Sequence, residues 1–191
     1  MDDAELFLKF KGGDKSTFCQ LVEKYQDSVI NTCYRFLRNK EEAEEVAQEV
    51  FLKVYLSANS YQPKAKFSTW LFKIVVNLCL NKLRDKKKYS SLKIDNPFYK
   101  NQMENDIPAL TESQPDKSYE HKELKRIIKD AIDSLPENQR VAIILNKYEG
   151  FSYQEMAKIL DCSVSSIESR LFRAKESLKK KLEPYIKKDA I

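Results

Sequence analysis

Apolar positions recur along most of this chain at spacings of three and four residues, the period of one helix face, and not in the alternation of a half-buried strand. "DDAELFLKFK" holds such a pattern up to Gly12 and Gly13, after which Asp14 is placed to cap a long helix running to about Leu37. In "NKEEAEEVAQEVFLKVYLS", Ala43, Val46, Ala47, Val50 and Val54 make an apolar stripe with acids beside it. The segment "ANSYQPKAK" breaks the pattern at Pro63, and a further helix is predicted from near Ser68. At about 100° per residue, Leu71, Phe72, Val75, Leu78 and Cys79 fall on one side of that helix and supply a core. Trp70, Lys73, Asn77, Arg84 and Lys88 fall on the other side, with Lys64 and Lys66 in the loop that leads to it.

Further along, Ser152 and Glu155 read as a capping box ahead of "YQEMAKIL". Asp161 and Cys162 interrupt that helix, and Ser163 is a suitable cap for the next. A short helix, a tight break and a second capped helix form a helix-turn-helix pattern, with the small Ala157 where the two helices need to approach. The turn lacks glycine, although aspartate tolerates the left-handed conformation better than most residues. Val164, Ile167, Leu171, Ala174 and Leu178 share one face of the second helix and should pack inward. Ser165, Ser166, Ser169 and Arg173 then point away from the core, with Glu168 and Arg170 on the two shoulders.

Between the two patterned regions lies "SLKIDNPFYKNQMENDIPALTESQPDKS", which holds three of the six prolines and no sustained apolar period. Residues 1–90 carry 16 Lys or Arg against 12 acids, residues 91–119 carry 3 against 5, and residues 120–191 carry 15 against 12. Two basic bodies therefore flank an acidic strap. With three glycines in 191 residues and no β-branched runs between turns, the expected fold is all-α. Two small helical domains, 1–90 and 120–191, are joined by a flexible acidic linker, 91–119, and the second domain carries the helix-turn-helix.

Composition narrows the function. Hydrophobic residues at 42% with 33% charged describe a soluble globular chain, and "WLFKIVVNLCL" is too short and too interrupted to cross a bilayer. The opening "MDDAELFLKF" has acids where an export signal carries cations, so the expected location is the cytoplasm, without membrane insertion. Cys19, Cys33, Cys79 and Cys162 are widely spaced within apolar patterns and read as buried thiols, not as disulfides or a metal site. His121 is the only histidine, and there is no glycine-rich phosphate loop, so no enzyme, metal or cofactor is expected.

The polar faces suit nucleic acid. Small donors at the start of the Ser163 helix permit close approach to a DNA backbone, helix N-termini attract phosphate, and Arg173 and the shoulders reach base edges in a major groove. Against this stands an ordinary three-helix domain whose serines only cap and solvate. On the helix from Ser68, rings stack on bases, amides bind their edges and cations neutralise phosphates. Equally, Trp70 could be a core residue beside a solvated face. A stand-alone repressor would share the helix-turn-helix, but would have no use for an acidic helix followed by such a strip.

"EEAEEVAQEVFLKVY", "FSTWLFKIVVNLCLNKLR" and "LPENQRVAIILNKYEGFSYQEMAKILDCSVSSIESRLFRAKESLKKKL", in that order, resemble successive regions of an extracytoplasmic-function sigma factor of bacterial RNA polymerase. The resemblance implies a non-enzymatic protein that binds core polymerase, recognises minus-35 and minus-10 promoter elements, and helps to melt the nearer one. It implies polymerase contacts at Glu45, Gln48 and Glu49. It implies minus-10 contacts at Lys64, Lys66, Thr69, Trp70, Lys73, Asn77 and Arg84, with Trp70 serving packing as much as stacking. The helix of Ser163, Ser165, Ser166, Glu168, Ser169, Arg170 and Arg173 resembles the minus-35 reader. Where many members carry a cation, as in "VRSR", this chain has "IESR", so a family promoter sequence does not transfer directly. The family usually has an anti-sigma partner, and its linker threads toward the polymerase channels; a plain tether would read the same in sequence.

Overall fold

The computed structural model describes residues 2–61, 66–93 and 118–186. Every regular element among them is helical: α1 Asp3–Lys11, α2 Lys15–Leu37, α3 Lys40–Leu56, a 3-10 turn at Ala58–Ser60, α4 Phe67–Lys93, α5 Ser118–Asp133, α6 Glu137–Ile143, α7 Tyr153–Ile159 and α8 Val164–Ile186. The expected all-α architecture is thus observed. The chain divides into two compact units, one built on α1 to α4 and one on α5 to α8.

In the first unit the caps lie where the sequence places them. The Ser16 N–H donates to Asp14 Oδ1 at 3.0 Å and the Ser16 hydroxyl donates to the same oxygen at 2.7 Å. The hydroxyl bond is the largest cause of the Asp14 carboxyl lying below its ordinary pKa. Gly13, at φ 106°, turns the chain from α1 into α2 in a conformation that side chains disfavour. Asn39 caps α3 by accepting the Glu42 N–H at 2.9 Å, and Glu41 and Glu42 in the first turn complement the helix dipole.

Ala43, Val46, Ala47, Val50 and Val54 are all buried where α3 packs on α2 and α4. Their modest volumes suit close helix packing, and Leu21 and Phe36 of α2 with Leu71 and Phe72 of α4 are buried in the same unit. An aromatic cluster closes one end: the Phe7 ring lies 4.9 Å from Tyr61, 5.0 Å from Phe67 and 5.3 Å from Trp70. Beside it the Tyr25 hydroxyl donates to Asp3 at 2.5 Å, and burial, reinforced by that carboxylate, pushes the phenol pKa well up.

The cysteines depart in part from expectation. Cys33 and Cys79 are buried, and a thiol hydrogen bond with Cys33, then burial, raise the Cys79 pKa. Cys162 is half-buried, whereas Cys19 is exposed. Position 19 lies about 160° around α2 from the buried Leu21, so apolar neighbours in sequence do not cover it.

In the second unit, α5 and α6 pack on α8. The helix begun at Glu137 widens into a π-turn over Ile144–Tyr148 and ends at Gly150, φ 71°. The α7 capping box is present in both directions: the Glu155 N–H donates to Ser152 Oγ at 3.3 Å and the Ser152 N–H donates to Glu155 Oε2 at 2.9 Å. Asp161 takes the left-handed turn at φ 53°, with the Cys162 N–H bonded back to the Ala157 carbonyl at 3.0 Å. Ile167, Leu171 and Ala174 of α8 are buried, as are Met156 and Ile159 of α7.

Candidate nucleic-acid and protein interfaces

The first candidate surface is the outer face of α8. Ser163 caps the helix, its Oγ accepting the Ser166 N–H at 3.2 Å and lying 3.0 Å from Ser165 Oγ. Ser165, Glu168, Ser169 and Arg173 are exposed, and Ser166 and Arg170 are half-buried on the flank. The Ser169 hydroxyl donates to the Ser165 carbonyl at 2.9 Å, which leaves its oxygen to accept from a ligand.

Phe172 lies on the same outer face, two turns beyond Ser165, and is 68% exposed. It is missing from the sequence-predicted set. A large apolar residue at a polar-face position was the signal available, because such exposure marks contact surfaces.

The second surface is on α4. Lys66, Asn77 and Arg84 are exposed and Lys73 is half-exposed along one strip, with Arg84 donating to Asn81 Oδ1 at 3.2 Å. Trp70, half-buried, packs 5.1 Å from Tyr61 and 5.9 Å from Phe67, besides Phe7, so its ring is engaged in the cluster. Thr69 is 3% exposed: it lies at the flank of the strip, where a short side chain does not reach past its neighbours. Lys64 lies outside the described residues, as do the loop residues around it and most of the acidic linker.

The third surface is on α3, where Glu45, Gln48 and Glu49 are exposed on one face. Lys82 of α4 donates to Glu45 Oε2 at 2.8 Å, and that bond raises the Lys82 pKa above its ordinary value. The same face runs on into Leu52, 58% exposed, and Leu56, 72% exposed. Neither leucine is in the sequence-predicted set, although their spacing from Glu45 and Glu49 continues a single helix face.

Comparison with known proteins supplies the frame for these three surfaces. The signature of Sigma-70 region 2 matches residues 21–89, and that of Sigma-70, region 4, matches residues 125–178. The chain is 32% identical to the RNA polymerase sigma-H factor of Pseudomonas aeruginosa over 97% of its own length and 96% of the relative's. It is 33% identical to the ECF RNA polymerase sigma-E factor of Escherichia coli K12 over 98% of both chains. Among solved structures, the fold is similar to that of the sigma factor RpoE of Bartonella quintana, solved with the anti-sigma factor NepR. That match has a TM-score of 0.68 at 24% identity and covers 87% of this chain and 96% of the other.

Proposed function

The chain belongs to the extracytoplasmic-function sigma factors of RNA polymerase, and on that premise we propose how its surfaces divide the work. The protein binds core RNA polymerase, directs it to promoters by recognising two elements, and supports melting for initiation; it is not an enzyme. Residues 1–90 take polymerase and the minus-10 element, residues 120–191 take the minus-35 element, and residues 91–119 join them.

The observation that carries the minus-35 assignment is the exposed face of α8 behind the Ser163 cap. Its serines approach the backbone, Arg170 and Arg173 contact phosphate or guanine, Glu168 accepts from cytosine N4, and Phe172 offers apolar contact to a thymine methyl group. On α4, Lys66, Lys73, Asn77 and Arg84 track the opened minus-10 strand. The ring contacts of Trp70 support a packing role that shapes this strip from beneath. Thr69, being buried, would take part only through a local rearrangement, and Lys64 would extend the strip from the loop before α4.

On α3, Glu45, Gln48 and Glu49 meet cations of core polymerase, with Leu52 and Leu56 adding apolar area at the far end. The site of action is the cytoplasm, where polymerase and chromosome lie, and among the described residues no helix is long and apolar enough to cross a membrane. The RpoE relative was solved with an anti-sigma factor, and a partner of that kind is proposed here too.

Replacing Asn77 and Lys73 together with alanine tests the α4 assignment. Permanganate reactivity of minus-10 thymines should fall further than binding to closed duplex, since each lost base contact matters by roughly 1–3 kcal/mol. Equal losses of opening and of duplex binding would make the strip a general phosphate track.

A further inference from the structure

Beyond Cys79 the inner face of α4 turns from apolar to basic. Lys82 and Lys86 continue, four residues apart, the line of Val75, Leu78 and Cys79, whereas Arg84 and Lys88 lie on the opposite side. The two inner lysines meet α3. Lys82 Nζ lies 2.8 Å from Glu45 Oε2, and Lys86 pairs with Glu42. One acid assigned above to polymerase docking is therefore already paired within its own domain.

We propose that Lys82 attenuates the affinity of this sigma factor for core polymerase, by holding Glu45 in an intramolecular ion pair with which an arriving cation must compete. The proposal rests on the reading of α3 as the docking helix. The Glu45 side chain is 65% exposed and that of Lys82 33%, so the carboxylate stays within reach of a partner while its field is reduced by the ammonium beside it. An exposed pair of this kind is weak, so displacement is possible and the attenuation modest, about two- to five-fold in affinity. In a cell where several sigma factors share one pool of core enzyme, a factor of this size alters the share each obtains.

Four full-length proteins provide the test: wild type, Lys82→Gln, Glu45→Gln and the double variant, each titrated against core polymerase at two salt concentrations. Lys82→Gln should bind about two- to five-fold more tightly than wild type, with an association rate that falls more steeply with salt. Glu45→Gln should bind more weakly, and the double variant should lie close to Glu45→Gln, because Lys82 acts chiefly through its bond to that carboxylate and only weakly through Glu42 and Glu49. Lys82→Arg should restore the wild-type affinity. A purely structural role for Lys82 would instead lower the melting temperature and weaken binding. If Glu45→Gln binds as wild type does, the docking reading is wrong and the proposal falls with it. If Glu45→Gln weakens binding but Lys82→Gln does not tighten it, or tightens it equally in both backgrounds, docking stands and the role of Lys82 is overturned.

Discussion

Leu171→Ala should destabilise the second unit by about 2–5 kcal/mol. Leu171 is buried on the inner face of α8, in the half of the chain where α5 and α6 pack on that helix, and its loss leaves a cavity under the minus-35 reader. A domain of this size holds only about 0.05–0.15 kcal/mol per residue, so the change removes a large part of its stability. Binding to upstream duplex should fail at a lower temperature than in the wild type, while the α1–α4 unit keeps its melting behaviour and core polymerase is still bound through α3. Scanning calorimetry of the wild type and Leu171→Ala measures this directly. One transition that shifts as a whole would mean that the units do not unfold separately.

The second large effect is one of selectivity. Glu168→Arg removes an acceptor suited to cytosine and adds a donor suited to guanine, at an exposed position of the reading face. Elements selected from a randomised upstream sequence should therefore change at one base pair, with a discrimination of about 1–3 kcal/mol. Arg173→Ala should behave differently if its contact is to phosphate, weakening all sequences alike and lowering the salt slope by about one unit. The selections are made with holoenzyme at one fixed salt concentration, and the salt slope of Arg173→Ala is read from binding over a series of salt concentrations. Identical selected elements from wild type and Glu168→Arg would place Glu168 outside the groove.

Much of this fold is legible from local chemistry. Asp14, the Ser152 and Glu155 pair, and Ser163 each cap a helix where their residue types and spacing predict, because capping is decided within four residues. The left-handed Asp161 follows from the same local reasoning. The stripe of Ala43, Val46, Ala47, Val50 and Val54 is buried because helical period and residue volume agree.

What escapes the sequence depends on neighbouring elements. Trp70 sits among the rings of Phe7, Tyr61 and Phe67, two of them from outside α4, so its packing is not readable from the α4 sequence alone. The engagement of Glu45 by Lys82 is set by how α3 crosses α4, which neither helix encodes alone. Phe172, Leu52 and Leu56 lie at polar-face spacings, but an apolar residue is first assigned to the core, and the packed helices give the extent of their exposure. Cys19 is the converse, a position read as covered that the turn of α2 leaves open. The π-turn at Ile144–Tyr148 has no period of its own in the sequence.

Run-off transcription with purified core polymerase on a fragmented genomic template, with and without this protein, followed by sequencing of the transcript starts, bears most directly on its role as a sigma factor. Starts that appear only when the protein is added, and that share one element near minus-10 and a second near minus-35 at a fixed spacing, are the predicted result. Starts indistinguishable from those of core polymerase alone would contradict it.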